Sequence, residues 1–366
     1  MTVHTEILLI AIAVSIACAI PGVFLVLRRM SMMADAITHT VFLGIVLAFF
    51  MTEDLNSPFL LVGATLVGVG TVWLTEMIHN TGLVNEDASI GIIFPLLFSI
   101  AIILVSLYSG NAHLDVDTAL LGEIAFAPFD RWIVNGTDLG PISLWISLGV
   151  ALINLILVML FYKELQLSTF DPLLAGLFGF MPVLIHYVLM TMVSLTVVAS
   201  FQAVGAILVI GLMIGPAVIA YLWTDSVKAM LTSSIIIGII CAVVGTEVAF
   251  TMDVSIAGSI ATTIGIALII AVIATPKTGY IATYRRQHHL RRHYRETMML
   301  CHIYTHMDTP IAHVENGIGT IHEHLNWRPD YTHQAASQLK KQGLLYVTNG
   351  HYVLTDKGVA QVKEII

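Results

Sequence analysis

Apolar runs of about 20 residues, broken by short polar stretches, fill the chain from Ile7 to Thr275. Crossing about 30 Å of hydrocarbon takes roughly 20 helical residues. Nine windows qualify: 7–27, 33–51, 58–78, 90–108, 142–162, 181–200, 203–223, 228–250 and 255–275. Almost nothing separates 181–200 from 203–223, so the pattern allows eight or nine spans. Beyond Thr275 the pattern changes. Glu296–His306, Ile318–Leu325 and Asp330–Gln342 read as helices, and Gly343 stops the third. Leu344–Thr348 and His351–Leu354 flank Asn349-Gly350, the signal of a two-residue β-hairpin turn, and Thr355–Ile366 closes as a helix. The expected fold is an all-α polytopic membrane protein over 1–277, a basic juxtamembrane linker over 278–295, and a small α+β domain over 296–366.

Composition agrees with that division. The chain is 57% hydrophobic and 11% charged, where a soluble domain carries roughly 25% charged residues. Up to Thr275 there are five Lys/Arg against seventeen Asp/Glu; beyond it there are eleven against seven, with ten of the fifteen histidines. A membrane body is joined to a soluble, His-rich tail. The first run ends in Arg28-Arg29 without a small-residue cleavage site, so it reads as a span and not a signal peptide. Cys18, Cys241 and Cys301 are too scattered for a disulfide framework or a cysteine zinc site.

Basic residues in short loops set orientation. Threading nine spans puts Arg28-Arg29, Lys163, Lys228 and Lys277 on one side. Glu53, Asp54, Asp115, Asp117, Glu123, Asp130, Asp138 and Asp253 fall on the other, with Arg131 as its one base. The expectation is an outside N-terminus and a cytoplasmic tail in a bacterial inner or plasma membrane. The outer segment Ser109–Pro141 carries an apolar patch, Ala119–Leu121 and Ile124–Phe126, that suits a short interfacial helix. On the inner side, Asp171-Pro172 is a helix start, since Asp caps free N–H groups and Pro fits the first turn. That helix would present Phe170, Leu173, Leu174 and Leu177 to a partner or to the membrane face. Gln202, Gly205, Gly215 and Pro216 cluster in one stretch, and Gly215-Pro216 is expected to kink or break a helix along a pathway. Glu86-Asp87 fits the macrodipole of a helix start. Glu247 and Asp253 are expected to be solvated.

Asp35 and His39 carry the chemistry. At i and i+4 they share one helix face, and carboxylate plus imidazole suits a divalent transition metal. Ionisable groups in hydrocarbon default to function, although an interhelical hydrogen bond is a second reading of the same pair. Ligation needs neutral imidazole, so acid pH is expected to weaken transport through His39.

These stretches resemble the permeases of manganese, zinc and iron ABC importers. The motifs are Arg28–His39, where the family typically has Gly at Ala34 and Ser at Thr38, and Glu86–Ile92. His113-Leu114-Asp115 through Leu120–Ile124 follows, then Phe170-Asp171-Pro172 with Ala175 and Gly179. Gln202–Val209 leading to Gly215-Pro216-Ala217, and Asp253 to Gly258, complete a match over about residues 7 to 276. The resemblance implies Asp35 and His39 as metal ligands for transported Mn²⁺, Zn²⁺ or Fe²⁺. It also implies coupling through Phe170–Leu174 to cytoplasmic ATP-binding subunits. A second permease, identical or related, and an extracytoplasmic metal-binding protein would complete the assembly. No phosphate-binding Gly-x-x-x-x-Gly-Lys-Ser/Thr motif occurs, so the chain is not expected to be an enzyme and ATP belongs to partner subunits. No permanently bound cofactor is expected. The rival classes are an ion-coupled secondary transporter, which would need inverted repeats not seen here, and a membrane-anchored DNA-binding sensor.

In the tail, Arg285, Arg286, Arg291, Arg292 and Arg295 suit anionic lipid headgroups. The elements that follow resemble the winged helix of diphtheria-toxin-repressor-type regulators, best at Leu344-Leu345 and Leu354–Gly358. DNA is not expected as a partner, because the third helix offers Lys340 and Lys341 but also Asp330. His302 with His306, and His322 with His324 around Glu323, are candidate regulatory metal ligands or plain surface histidines.

Overall fold

The computed structural model describes residues 2–53, 57, 59–108, 124–134, 137–275 and 279–365. The outer motifs His113-Leu114-Asp115 and Leu120–Glu123, together with Asp54, Asp115, Asp117 and Lys277, lie outside the described residues. The chain divides into two compact units, Met1–Ile273 and Ala274–Ile366.

Nine helices among the described residues of the first unit are long and apolar enough to cross a membrane. They are α1 (Val3–Leu27), α2 (Ser31–Thr52), α3 (Phe59–His79), α4 (Glu86–Tyr108), α5 (Ile142–Leu160), α8 (Pro182–Val204), α9 (Ala206–Trp223), α10 (Val227–Met252) and α11 (Ile256–Ala274). Two short helices, α6 (Tyr162–Phe170) and α7 (Pro172–Leu177), fill the connection from α5 to α8. Apolar on every side, α1 is buried from Ile10 to Leu25 and packs against α5, α8, α9 and α10. A helix hydrophobic all round belongs in the interior of a bundle.

Small residues set the helix spacing. A side chain at Gly44 of α2 would meet the α3 backbone at Ala64 Cα, 2.5 Å away. Gly22 of α1 lies against the Met213 carbonyl of α9. With lipid outside, such close backbone approach drives helix association in place of the hydrophobic effect. Asn154 of α5 is buried and donates to the Ala17 carbonyl (3.1 Å) and to Thr196 Oγ1 (2.7 Å), tying three helices with polar contacts.

The break in the stretch Gln202–Pro216 sits elsewhere than expected. Gly205 has φ 79°, a left-handed value that suits a residue without Cβ, and it separates α8 from α9. α9 runs on through Gly215-Pro216 as one helix, so that pair does not break it. Pro216 is buried beside Gly238 of α10, whose missing side chain leaves it room.

At the end of the bundle holding the N-terminus of α1, β1 (Arg131–Val134) pairs antiparallel with β2 (Thr137–Pro141), Ile133 facing Asp138. Arg131 reaches both oxygens of buried Glu6 at 3.1 Å and Asp138 at 2.6 Å. These carboxylates, Glu6 first, raise the Arg131 pKa. The Gly140 N–H, then Arg131, hold the Asp138 carboxyl below its usual range. Glu247, expected to be solvated, faces His4 at 3.3 Å while remaining half-exposed.

The second unit contains α12 (Tyr280–His306), α13 (Ala312–Glu315), α14 (Ile321–His324), α15 (Pro329–Lys341), β3 (Leu345–Thr348), β4 (His351–Leu354) and α16 (Asp356–Ile365). The helix expected from Glu296 starts instead at Tyr280, running through the basic stretch, which holds neither Pro nor Gly. An i,i+4 pair, Arg292 to Glu296 at 3.1 Å, supports it. Met299, Leu300 and Ile303 of α12 join Leu339, Leu345, Tyr352, Leu354 and Val362 in one core. β3 and β4 form the expected hairpin about Asn349-Gly350, Leu345 opposite Leu354. Both turn residues have positive φ, 49° and 79°, which this turn requires.

Candidate functional site

Asp35 and His39 stand in the first two turns of α2, Asp35 nearer the helix start. Their neighbours Met33, Ala34, Ile37 and Thr38 are buried on the opposite side, which leaves the pair on the open face. Thr38 donates back to the Ala34 carbonyl at 2.7 Å, so its hydroxyl is spent within the helix. His39 Nε2 lies 3.6 Å from Asp35 Oδ1, with the side chains 30% and 43% exposed. Phe94 and Phe98 of α4 flank the imidazole at centroid distances of 5.1 and 5.8 Å. They fix the ring from one side and leave the other open.

That separation is close to the roughly 3.3 Å between two donors on one tetrahedral cation with bonds of about 2.0–2.1 Å. Two donors do not complete a coordination sphere, and the open face admits more.

A second polar group lies beside the start of α2. Glu76 of α3 meets His186 Nε2 at 2.7 Å and accepts from the Tyr187 hydroxyl at 2.7 Å. Arg28, just past α1, donates to His186 Nδ1 (3.1 Å), Ser168 (2.9 Å) and Thr169 (3.1 Å). Burial lowers the Arg28 pKa to about 10, so it stays cationic at neutral pH. Around this group opens a cavity of 510 Å³, lined also by Thr75, His79, Glu86 and Met33. Sequence reading passed over Glu76, His79 and His186. The signal was there, since Glu76 and His186 are ionisable residues inside apolar windows. Their partnership was not, because they belong to separate helices.

Asp171 caps α7, accepting the Leu174 N–H at 2.9 Å. Phe170, Leu173, Leu177 and Phe178 are exposed, Leu173 at 84%, and Leu174 partly so. Gln202 is exposed near the end of α8, while Gly215 and Pro216 pack within α9.

In the second unit the histidines regroup. His302, His306 and His324 gather about Glu315, and His322 turns to Glu323 at 4.0 Å. Burial pushes the His302 pKa down, which favours the neutral ring.

A family profile described as ABC 3 transport family matches residues 2–275. The zinc transport system membrane protein TroD of Treponema pallidum is 41% identical over 356 residues, 97% of this chain and 96% of the relative. The manganese transport system membrane protein MntD of Bacillus subtilis is 42% identical over 281 residues, 77% of this chain and 95% of the relative. Among solved structures, PsaBC from Streptococcus pneumoniae in complex with Fab aligns with a TM-score of 0.64 and 29% identity. That alignment covers 78% of this chain and 96% of the solved one.

Proposed function

The chain belongs to the ABC 3 transport family, and from that premise we propose that it is the permease subunit of an ATP-binding-cassette importer for Mn²⁺ or Zn²⁺. The manganese and zinc names of its relatives support these two cations, whereas iron has no such support. The chain is a multi-pass membrane protein and supplies no catalysis of its own.

The observation that carries the conduction role is the half-open Asp35–His39 pair, donors 3.6 Å apart on a face of α2. A second permease, identical or related, brought against that face would offer two carboxylates and two imidazoles to one ion. Mixed oxygen and imidazole donors hold Mn²⁺ and Zn²⁺ alike. Exposed Phe170, Leu173 and Leu174 beside the Asp171-capped turn form the docking surface for a cytoplasmic ATPase subunit. ATP is bound and hydrolysed there, and an extracytoplasmic binding protein delivers the metal to the opposite end. The distribution of basic loops supports a cytoplasmic second unit. Helices leading into an Asn-Gly hairpin support a winged-helix likeness for that unit, and the arginines of α12 suit lipid headgroups. Its role is regulatory contact with the transporter and not DNA binding.

The test is metal accumulation in cells without their own Mn²⁺ and Zn²⁺ importers, expressing the chain with its ATPase and binding protein. Accumulation is expected only when the ATPase is intact. Uptake that persists with an ATPase unable to hydrolyse ATP would point instead to ion-coupled secondary transport.

A further inference from the structure

Outside the membrane-spanning helices, one cluster gathers metal donors from three separate elements. His302 and His306 stand one turn apart at the end of α12, Glu315 closes α13 and His324 closes α14. One donor atom each from His302, His306 and Glu315 lies within 4.8 Å of the others. Glu315 Oε2 is 3.1 Å from His324 Nδ1 and 3.9 Å from His302 Nε2. The His302 ring centroid is 4.8 Å from that of His306 and 6.2 Å from that of His324. We propose that His302, His306, Glu315 and His324 form a binding site for a borderline divalent cation of the Zn²⁺ class, separate from the Asp35–His39 pair.

Three imidazoles and one carboxylate are a four-donor set of the kind Zn²⁺ takes in tetrahedral sites. Mn²⁺ and Ca²⁺ favour oxygen-rich surroundings, so this set selects for the softer ion. The donor spacings bracket the roughly 3.3 Å edge of a tetrahedral site, and small side-chain rotations close the difference.

The cluster is also held in place. Asn316, next to Glu315, is buried and donates to the Ile303 carbonyl of α12 at 3.3 Å. The Asn316 carbonyl accepts the Tyr352 N–H of β4 at 2.9 Å. The backbone bearing Glu315 is thereby fixed to both α12 and the hairpin. His302 Nε2 donates to the Glu315 carbonyl at 3.2 Å, which leaves Nδ1 unprotonated on a neutral ring. Such a backbone contact is the usual device that orients a ligating histidine. A carboxylate sharing protons with its histidines, and holding no ion, is the alternative the experiment must exclude.

The experiment uses the full chain in detergent, dialysed to equilibrium against ZnCl₂, with bound metal counted by mass spectrometry. The double variant His302→Gln, Glu315→Gln is expected to hold one Zn²⁺ fewer per chain, affinity at that site falling at least about tenfold. His322→Gln, whose ring faces Glu323, should bind as the parent does. Asp35 and His39 are unchanged throughout, so the loss reports on this site and not on the conduction path. Co²⁺ added to the parent supplies a readout that needs no variant, namely intense visible bands of tetrahedral geometry. Equal Zn²⁺ stoichiometry in parent and double variant, or a purely octahedral Co²⁺ spectrum in the parent, would overturn the proposal.

Discussion

Asp35 and His39 were legible because the i,i+4 spacing is a property of one helix, and an acid and an imidazole inside an apolar run announce themselves. The ring of three contacts made by Arg28 was not, because Ser168, Thr169 and His186 come from distant parts of the chain. Arg28→Ala leaves these groups without their donor and exposes the Glu76–His186 pair. Faster hydrogen exchange across residues 162–177 is expected, and Arg28→Lys should restore little, because one ammonium cannot reproduce the fork. Unchanged exchange in the alanine variant would count against that anchoring. Asp138 gives a pH dependence with a definite sign. Its pKa is held down in the folded chain, so its contribution is complete above the ordinary carboxylate range and is lost as pH falls through the lowered value. Exchange in the 131–141 hairpin should therefore rise at about pH 3 relative to pH 7. Protection that stays flat across that range would remove Asp138 from the account.

At the level of elements, apolar period and length placed all nine spans, with ends displaced by a few residues. Helix ends answer to capping and packing, and hydropathy windows see neither. The second break was misplaced for a related reason. A proline inside a packed membrane helix is accommodated by neighbours, and Gly205, with no Cβ, takes the strained turn instead. The short helix α7 is the element where capping and function meet. Asp171→Ala removes the acceptor of the Leu174 N–H, at a cost of about 0.5–2 kcal/mol to that turn. Its expected signature is an assembled complex whose ATPase activity no longer responds to the binding protein. A variant that keeps full stimulation would dissociate this turn from coupling.

Across the whole molecule, the change from acidic membrane body to His-rich tail was visible in charge and composition alone. The grouping of His302, His306 and His324 about Glu315 was not, since α13 carried no periodicity strong enough to predict it and only the folded unit brings its last residue to α12. Removing the residues after 277 is expected to leave the transport rate within about twofold while abolishing its response to preloaded metal, consistent with coupling energies of about 1–3 kcal/mol between sites. Failure of the truncated chain to assemble would make the tail structural instead. Conduction itself is decided by ATP-driven uptake of radiolabelled Mn²⁺ or Zn²⁺ into proteoliposomes containing the full complex with Asp35→Ala or His39→Ala. Uptake is expected to fall to background in both variants while assembly and basal ATPase activity persist. Normal uptake by both would contradict the assignment of this pair to the metal path.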